Sequence, residues 1–138
     1  MNIRFSEEKD IDLLAEMNLH LISDEGHRNN MSISELRQRF SAWLSTNYLA
    51  ALIEENSSTI GYVLWRDEEE YLYIRQFFIQ RTCRGRGLGT IAMKQLQNSF
   101  WQGQHLRLEV LCNNSRGLSF WRSLGFNDYC LTLEHKIA

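Results

Sequence analysis

The segment 71–79 (YLYIRQFFI) constrains this chain more than any other, because it is apolar on both of its alternating faces. Tyr71, Tyr73, Phe77 and Ile79 alternate with Leu72, Ile74 and Phe78. A strand of that kind is stable only when both faces are covered. Two apolar runs precede it, 48–53 and 59–65, separated by Glu54, Glu55, Asn56, Ser57 and Ser58, which is a hairpin signature. A second turn at 67–70 then leads into the covered strand, so three successive antiparallel strands are expected.

Helical patterns flank this meander. After an opening strand at 2–5, Asp10 is placed to cap a helix whose buried face is Leu13, Leu14, Met17 and Leu21. The polar stretch 24–30 breaks it. Ser32 and Glu35 form a capping box, and Ile33, Leu36, Phe40, Trp43 and Leu44 follow at helical spacing. Beyond the meander come a helix through Leu88, Ile91, Ala92, Gln95 and Leu96, a strand at 106–112, a helix at 115–124 closed by Gly125, and a last strand at 129–133. The expected fold is of the α/β (α+β) class, a mixed, mainly antiparallel sheet with helices on both faces. The 138 residues carry no repeat or linker and read as one domain, 1–138.

Between the covered strand and the next helix stand Arg84, Gly85, Arg86, Gly87, Leu88, Gly89 and Thr90. The first amides of a helix lack intrahelical partners and attract anions, and glycines let a phosphate approach the backbone. With two arginines nearby, a diphosphate is the natural guest. The spelling is neither a P-loop, which needs a lysine after its glycines, nor the dinucleotide fingerprint G-x-G-x-x-G. The glycines could alternatively serve only the tight turn.

The pattern R-x-x-G-x-G at Arg84, Gly87 and Gly89, following Phe77, Phe78 and Ile79, resembles the acetyl-CoA signature of the GCN5-related N-acetyltransferase (GNAT) superfamily. A second block agrees: Leu108, Glu109 and Val110, then Asn114, Gly117, Phe120, Trp121, Gly125 and Phe126, are similar to that family's L-E-V and N-x-x-A-x-x-F-Y-x-x-x-G-F stretch. The resemblance implies an N-acetyltransferase fold, with acetyl-CoA as acyl donor and a primary amine of a small molecule or protein as acceptor. It implies that the pantetheine arm lies along Phe77, Phe78 and Ile79, with the pyrophosphate on the amides from Gly85 to Thr90. Arg84 leads the motif. Asn114 matches a cofactor-contacting asparagine, while its own position equally suits a helix cap. Direct transfer with both substrates bound is the favoured reading; a noncatalytic acyl-CoA-binding or sensor module is the alternative.

Transfer to an amine needs the neutral amine. A lysine-like amine lies about 3.4 units above pH 7, costing roughly 4.6 kcal/mol to deprotonate. The resemblance makes Glu109 the candidate base; the bland reading is a polar strand face beside Arg107. Where the family often carries a tyrosine that protonates the departing thiolate, this chain has Trp121, whose indole N–H only donates hydrogen bonds. Tyr129 or Tyr73 could supply that proton, or the thiolate could leave unassisted, and Trp121 remains a cofactor-contact candidate. Asp24, Glu25 and His27 lie in the loop that borders the acceptor site in this family, where acidic side chains suit a cationic amine.

Composition narrows the classes that remain. Fifteen Lys plus Arg against 17 Asp plus Glu give a net charge of -2, without the basic surplus of nonspecific nucleic-acid binding. No apolar run approaches the roughly 20 residues of a membrane span, and the charged residues after Phe5 leave no signal-peptide core, so no membrane partner and a cytoplasmic address are expected. The three cysteines form no CxxC pair and the histidines show no ligand spacing; reduced thiols and no metal are expected. A homodimer is left open. The absence of proline has no functional explanation.

Overall fold

The computed structural model describes residues 1–26 and 28–138; His27, an acceptor-site candidate, lies outside the described residues. The elements run β1 (Asn2–Phe5), α1 (Ile11–Glu25), α2 (Ile33–Leu44), β2 (Tyr48–Glu55), β3 (Ser58–Asp67), β4 (Leu72–Ile79), α3 (Leu88–Ser99), β5 (Leu106–Leu108) and α4 (Ser115–Ser123). The sheet order is β1-β2-β3-β4-β5, antiparallel through β4 and parallel between β4 and β5.

Alternation along the meander sorts its side chains into two layers. Leu52, Tyr62, Leu64 and Phe78 face α1 and α2 and pack with Leu14, Met17 and Phe40. Val63, Trp65 and Ile74 face the other way, onto Met93, Leu96 and Trp101. Each fully buried Leu or Phe contributes about 1.5–3 kcal/mol. The doubly apolar strand is thus covered from both sides. Gly61 allows β3 and β4 to approach: a Cβ there would stand 2.0 Å from the Phe78 carbonyl oxygen.

The structure differs from the sequence expectations in four places. Helix α1 continues through Asp24 and Glu25 and stops only at Gly26, whose φ of 64° is the left-handed cap that glycine adopts without strain. Asp10 does not cap α1. Its carboxylate instead accepts from Arg4 at 2.9 and 3.0 Å and from the Glu7 amide at 2.7 Å, a pairing worth more than one cap. The strand expected at 106–112 is only three residues long. The strand expected at 129–133 is absent, because no neighbouring strand offers it a ladder: among the described residues the tail joins no sheet, and Tyr129, Leu131 and Leu133 are 79%, 84% and 88% exposed.

Candidate functional site

The sheet forks between β4 and β5. Their ladder has three pairs, Leu72 with Leu106, Tyr73 with Arg107 and Ile74 with Leu108, and then ends. On its other side β4 stays paired with β3 as far as Ile79, with an irregularity at Leu64/Trp65 that leaves Arg75 as an extra residue. Such a bulge bends its strand and re-aims the side chains around it. From Arg75 onward the edge of β4 that faced β5 is therefore free. Phe77, Phe78 and Ile79 lie along this open edge, where backbone groups left without a strand partner suit the amides of an extended ligand, the Ile79 carbonyl excepted because it accepts from Arg84.

The glycine turn closes the upper end of the fork. Gly85 and Gly87 have φ of 79° and 74°, and a Cβ on either would meet nothing within 4 Å. The space over the turn is open. Helix α3 starts at Leu88 with Gly87 at its cap, and its first bonded amide is that of Ile91, on the Gly87 carbonyl. The amides of Leu88, Gly89 and Thr90 are thus the first-turn donors left for an anion. Arg86 is exposed beside them. Gly89 has a different task, since its Cβ would stand 3.2 Å from the Phe120 ring, which packs from α4.

Arg84 is occupied. It donates through Nε to the Ile79 carbonyl at 2.8 Å and through Nη2 to Asp24 at 2.5 Å, while Arg81 reaches the other oxygen of Asp24 at 2.8 Å. Burial alone would push the Asp24 carboxyl up; the hydrogen bonds from Arg84 and Arg81 outweigh it and hold Asp24 below its ordinary range. Asp24 therefore ties the end of α1 to the turn after β4, and its carboxylate is committed to arginine. Glu25 next to it has the opposite bias, raised by burial and then by the Asp24 charge.

Glu109 is the first residue beyond the ladder on β5, so it stands at the vertex of the fork. Its carboxylate accepts a 2.7 Å hydrogen bond from the Tyr73 hydroxyl. Burial and then Glu109 push the Tyr73 phenol well above the ordinary tyrosine range, so it stays protonated. Tyr129 lies apart from this pair in the exposed tail, with Arg107 4.9 Å from its ring centroid.

Trp121 packs on the opposite side of the sheet, with Phe77, Phe120 and Phe126 at centroid distances of 5.6, 4.9 and 5.2 Å. Asn114 caps α4: its Oδ1 accepts from the Gly117 amide at 3.0 Å. The fork thus brings together the 77–79 edge, the glycine turn and Glu109, while Asp24 is drawn into arginine pairs. Sequence reasoning missed Arg75 at the bulge and the pairing of Tyr73 with Glu109. Bulges leave no reliable local mark, and the pairing of Tyr73 with Glu109 depends on their two strands becoming neighbours, which neither local pattern states.

Among the described residues no three His, Cys, Asp or Glu side chains cluster as a metal site, and no helix is long and apolar enough to cross a membrane.

The model of the acetyltransferase (GNAT) family matches residues 15–126. An uncharacterized N-acetyltransferase of Methanocaldococcus jannaschii is 26% identical over 131 residues, covering 93% of this chain and 79% of the relative. Among solved structures, a predicted acetyltransferase with acetyl-CoA from Clostridium acetobutylicum superposes with a TM-score of 0.75 at 24% identity, over 98% of this chain and 95% of that one. The aminoglycoside 6'-N-acetyltransferase AAC(6')-Ig of Acinetobacter haemolyticus does so at 0.73 and 16% identity, over the whole of both chains. These two share the fold.

Proposed function

The chain belongs to the acetyltransferase (GNAT) family and is an N-acetyltransferase; from that premise we propose that it moves an acetyl group from acetyl-CoA directly to a primary amine, with donor and acceptor bound together. The observation that carries this reading is the fork itself: β4 loses its β5 partner after Ile74, leaving a free strand edge that leads to the open glycine turn. The residues present fit the donor. The 77–79 edge offers backbone groups to the pantetheine amides, and the amides of Leu88, Gly89 and Thr90 offer donors to the pyrophosphate, beside Arg86. Arg84, held by Ile79 and Asp24, fixes the turn and leaves its charge close by.

Acetyl-CoA supplies a thioester, whose acyl carbon bonds to the amine nitrogen as the carbon–sulfur bond breaks. Glu109 takes the first proton from the incoming ammonium and frees its lone pair. Tyr73 holds that carboxylate in place. The second nitrogen proton passes through water to the departing thiolate, which a thiol pKa of about 8.5 makes a tolerable leaving group. Trp121 packs the wall formed by Phe77 and Phe120 and supplies no proton.

The test is acetyl-CoA calorimetry together with CoA release over a panel of amines, amino acids and peptides. Binding with release supports transfer. Binding without release across the panel, in wild type and at high pH alike, would favour the noncatalytic acyl-CoA-binding module that the tryptophan at position 121 suggests.

A further inference from the structure

On the α1/α2 side of the fork, two guanidinium groups share one indole. The Arg39 guanidinium carbon stands 4.4 Å from the Trp43 ring centroid and that of Arg75 stands 4.9 Å from it. Arg75 is the bulge residue of β4 and directly follows the last ladder pair, as Glu109 does on the other arm of the fork. Arg39 comes from α2 and Trp43 from the end of the same helix.

No carboxylate among the described residues answers the charges of these two arginines. Among the described residues the ion pairs engage other arginines and neither of these. Within that same set of residues Arg39 donates only to the neutral Asn18 carbonyl at 2.8 Å, and its Nε is buried with no partner among them. Arg75 donates to the neutral Tyr48 hydroxyl at 3.2 Å. Arg66, which also donates to Tyr48, is different: Glu68 neutralises it. Two like charges on one ring repel, and a buried unpaired donor costs stability. Both costs fall when an anion bridges them. Arg75 is exposed, so the pair is reachable from solvent.

Resting on the transfer reading above, we propose that Arg39 and Arg75 seat an anionic group, a carboxylate or phosphate, carried by the acceptor amine itself. The acceptor is then a small zwitterion. Its amine lies toward Glu109, and its anionic end lies across the neighbouring strand on the arginine pair. Facing strands are about 4.8 Å apart, so an amino acid or a short aminoalkyl phosphate spans the two ends. The same pair repels a polycationic acceptor. The assignment therefore runs against the aminoglycoside class despite the shared fold.

The experiment compares matched acceptors, lysine against its decarboxylated diamine and phosphoethanolamine against ethanolamine, by CoA release. The anionic member of at least one pair is expected to have a KM about tenfold or more below its partner. The more favoured pair tells carboxylate from phosphate. Arg39→Ala and Arg75→Ala should each remove most of that preference, with Arg75→Lys restoring part of it, and melting curves confirm that the variants are folded. Equal KM values within both pairs, or a preference that survives both alanine variants, would overturn the assignment. A second readout needs no turnover: N-acetylglycine and phosphate, each titrated against tryptophan fluorescence, should give a saturable change that N-acetylglycinamide does not and that Trp43→Phe abolishes. If none of these additions changes the Trp43 signal, the seat is refuted. Loss of acetyl-CoA binding in calorimetry refutes the transfer reading separately, leaving the fluorescence titration to decide the seat.

Discussion

The Tyr73 hydroxyl on β4 donates a 2.7 Å hydrogen bond to Glu109 where the two strands part. One carboxylate is thereby fixed at the vertex of the only fork among the sheet's described pairings, with a phenol that stays protonated as its partner. That coupling makes the two residues a unit, and units are non-additive. Glu109→Gln should lower turnover about 10² to 10⁴ fold, with acetyl-CoA affinity kept. Activity should partly return at high pH, where more amine is already neutral. Tyr73→Phe should cost about tenfold, and Glu109→Gln with Tyr73→Phe should be no slower than Glu109→Gln alone. A double variant slower by the product of the two effects would assign Tyr73 a separate catalytic role.

Gly87 combines a positive φ with open space above it. A β-branched residue is strained there, at about 1–2 kcal/mol, and its methyl groups enter the region where a diphosphate would sit. Gly87→Val should weaken acetyl-CoA binding by about tenfold or more. Gly87→Ala, with similar strain and less bulk, should weaken it less. Calorimetry on folded variants decides between bulk and strain.

Trp121 is bound into aromatic packing with Phe77, Phe120 and Phe126. Removing a half-buried indole should cost about 3 kcal/mol of stability in Trp121→Ala, read by denaturant unfolding. Trp121→Phe should keep turnover per folded molecule. A Trp121→Phe enzyme that binds acetyl-CoA normally and does not turn over would give the indole N–H a role in the reaction.

Asp10 is buried against Arg4, whose hydrogen bonds outweigh the opposing cost of burial and hold the Asp10 carboxyl below its ordinary range. A depressed folded-state carboxyl contributes stability at pH above its unfolded value of about 4, and that contribution is lost as pH falls through the lower folded value. Asp24, held down in the same direction, adds to the loss. Asp10→Asn should destabilise the protein by about 1–3 kcal/mol at pH 7, the lower part of that range applying because Arg4 is one third exposed. It should also flatten the acid limb of the melting temperature against pH. An unchanged acid limb in this variant would remove the ion pair from the account.

Much of this protein was written locally. The doubly apolar run at 71–79, the hairpin before it, the Ser32–Glu35 box and the glycines opening α3 each depend on neighbours within a few residues, and the structure contains each of them. The side chain of Ser32 accepts from the Glu35 amide at 3.2 Å, a bond that spacing alone specifies. The fork's floor was legible in the same way, since a covered strand running into a glycine turn needs no distant partner to be recognised.

What the tertiary structure decided depends on residues far apart in the chain. Alternation at 129–133 describes a strand, but a strand exists only beside another, and the tail found none. Asp10 carries a capping signal that Arg4 on β1 overrides, and Asp24 is claimed by Arg84 sixty residues on. Where β4 bulges, and hence that Arg75 meets Arg39 over Trp43, follows from the match between β3 and β4 and the packing of α2 on the sheet. Propensity and period act over a few residues, and so they mark elements; burial and charge act between whichever surfaces folding brings together, and so the site's partnerships belong to the fold.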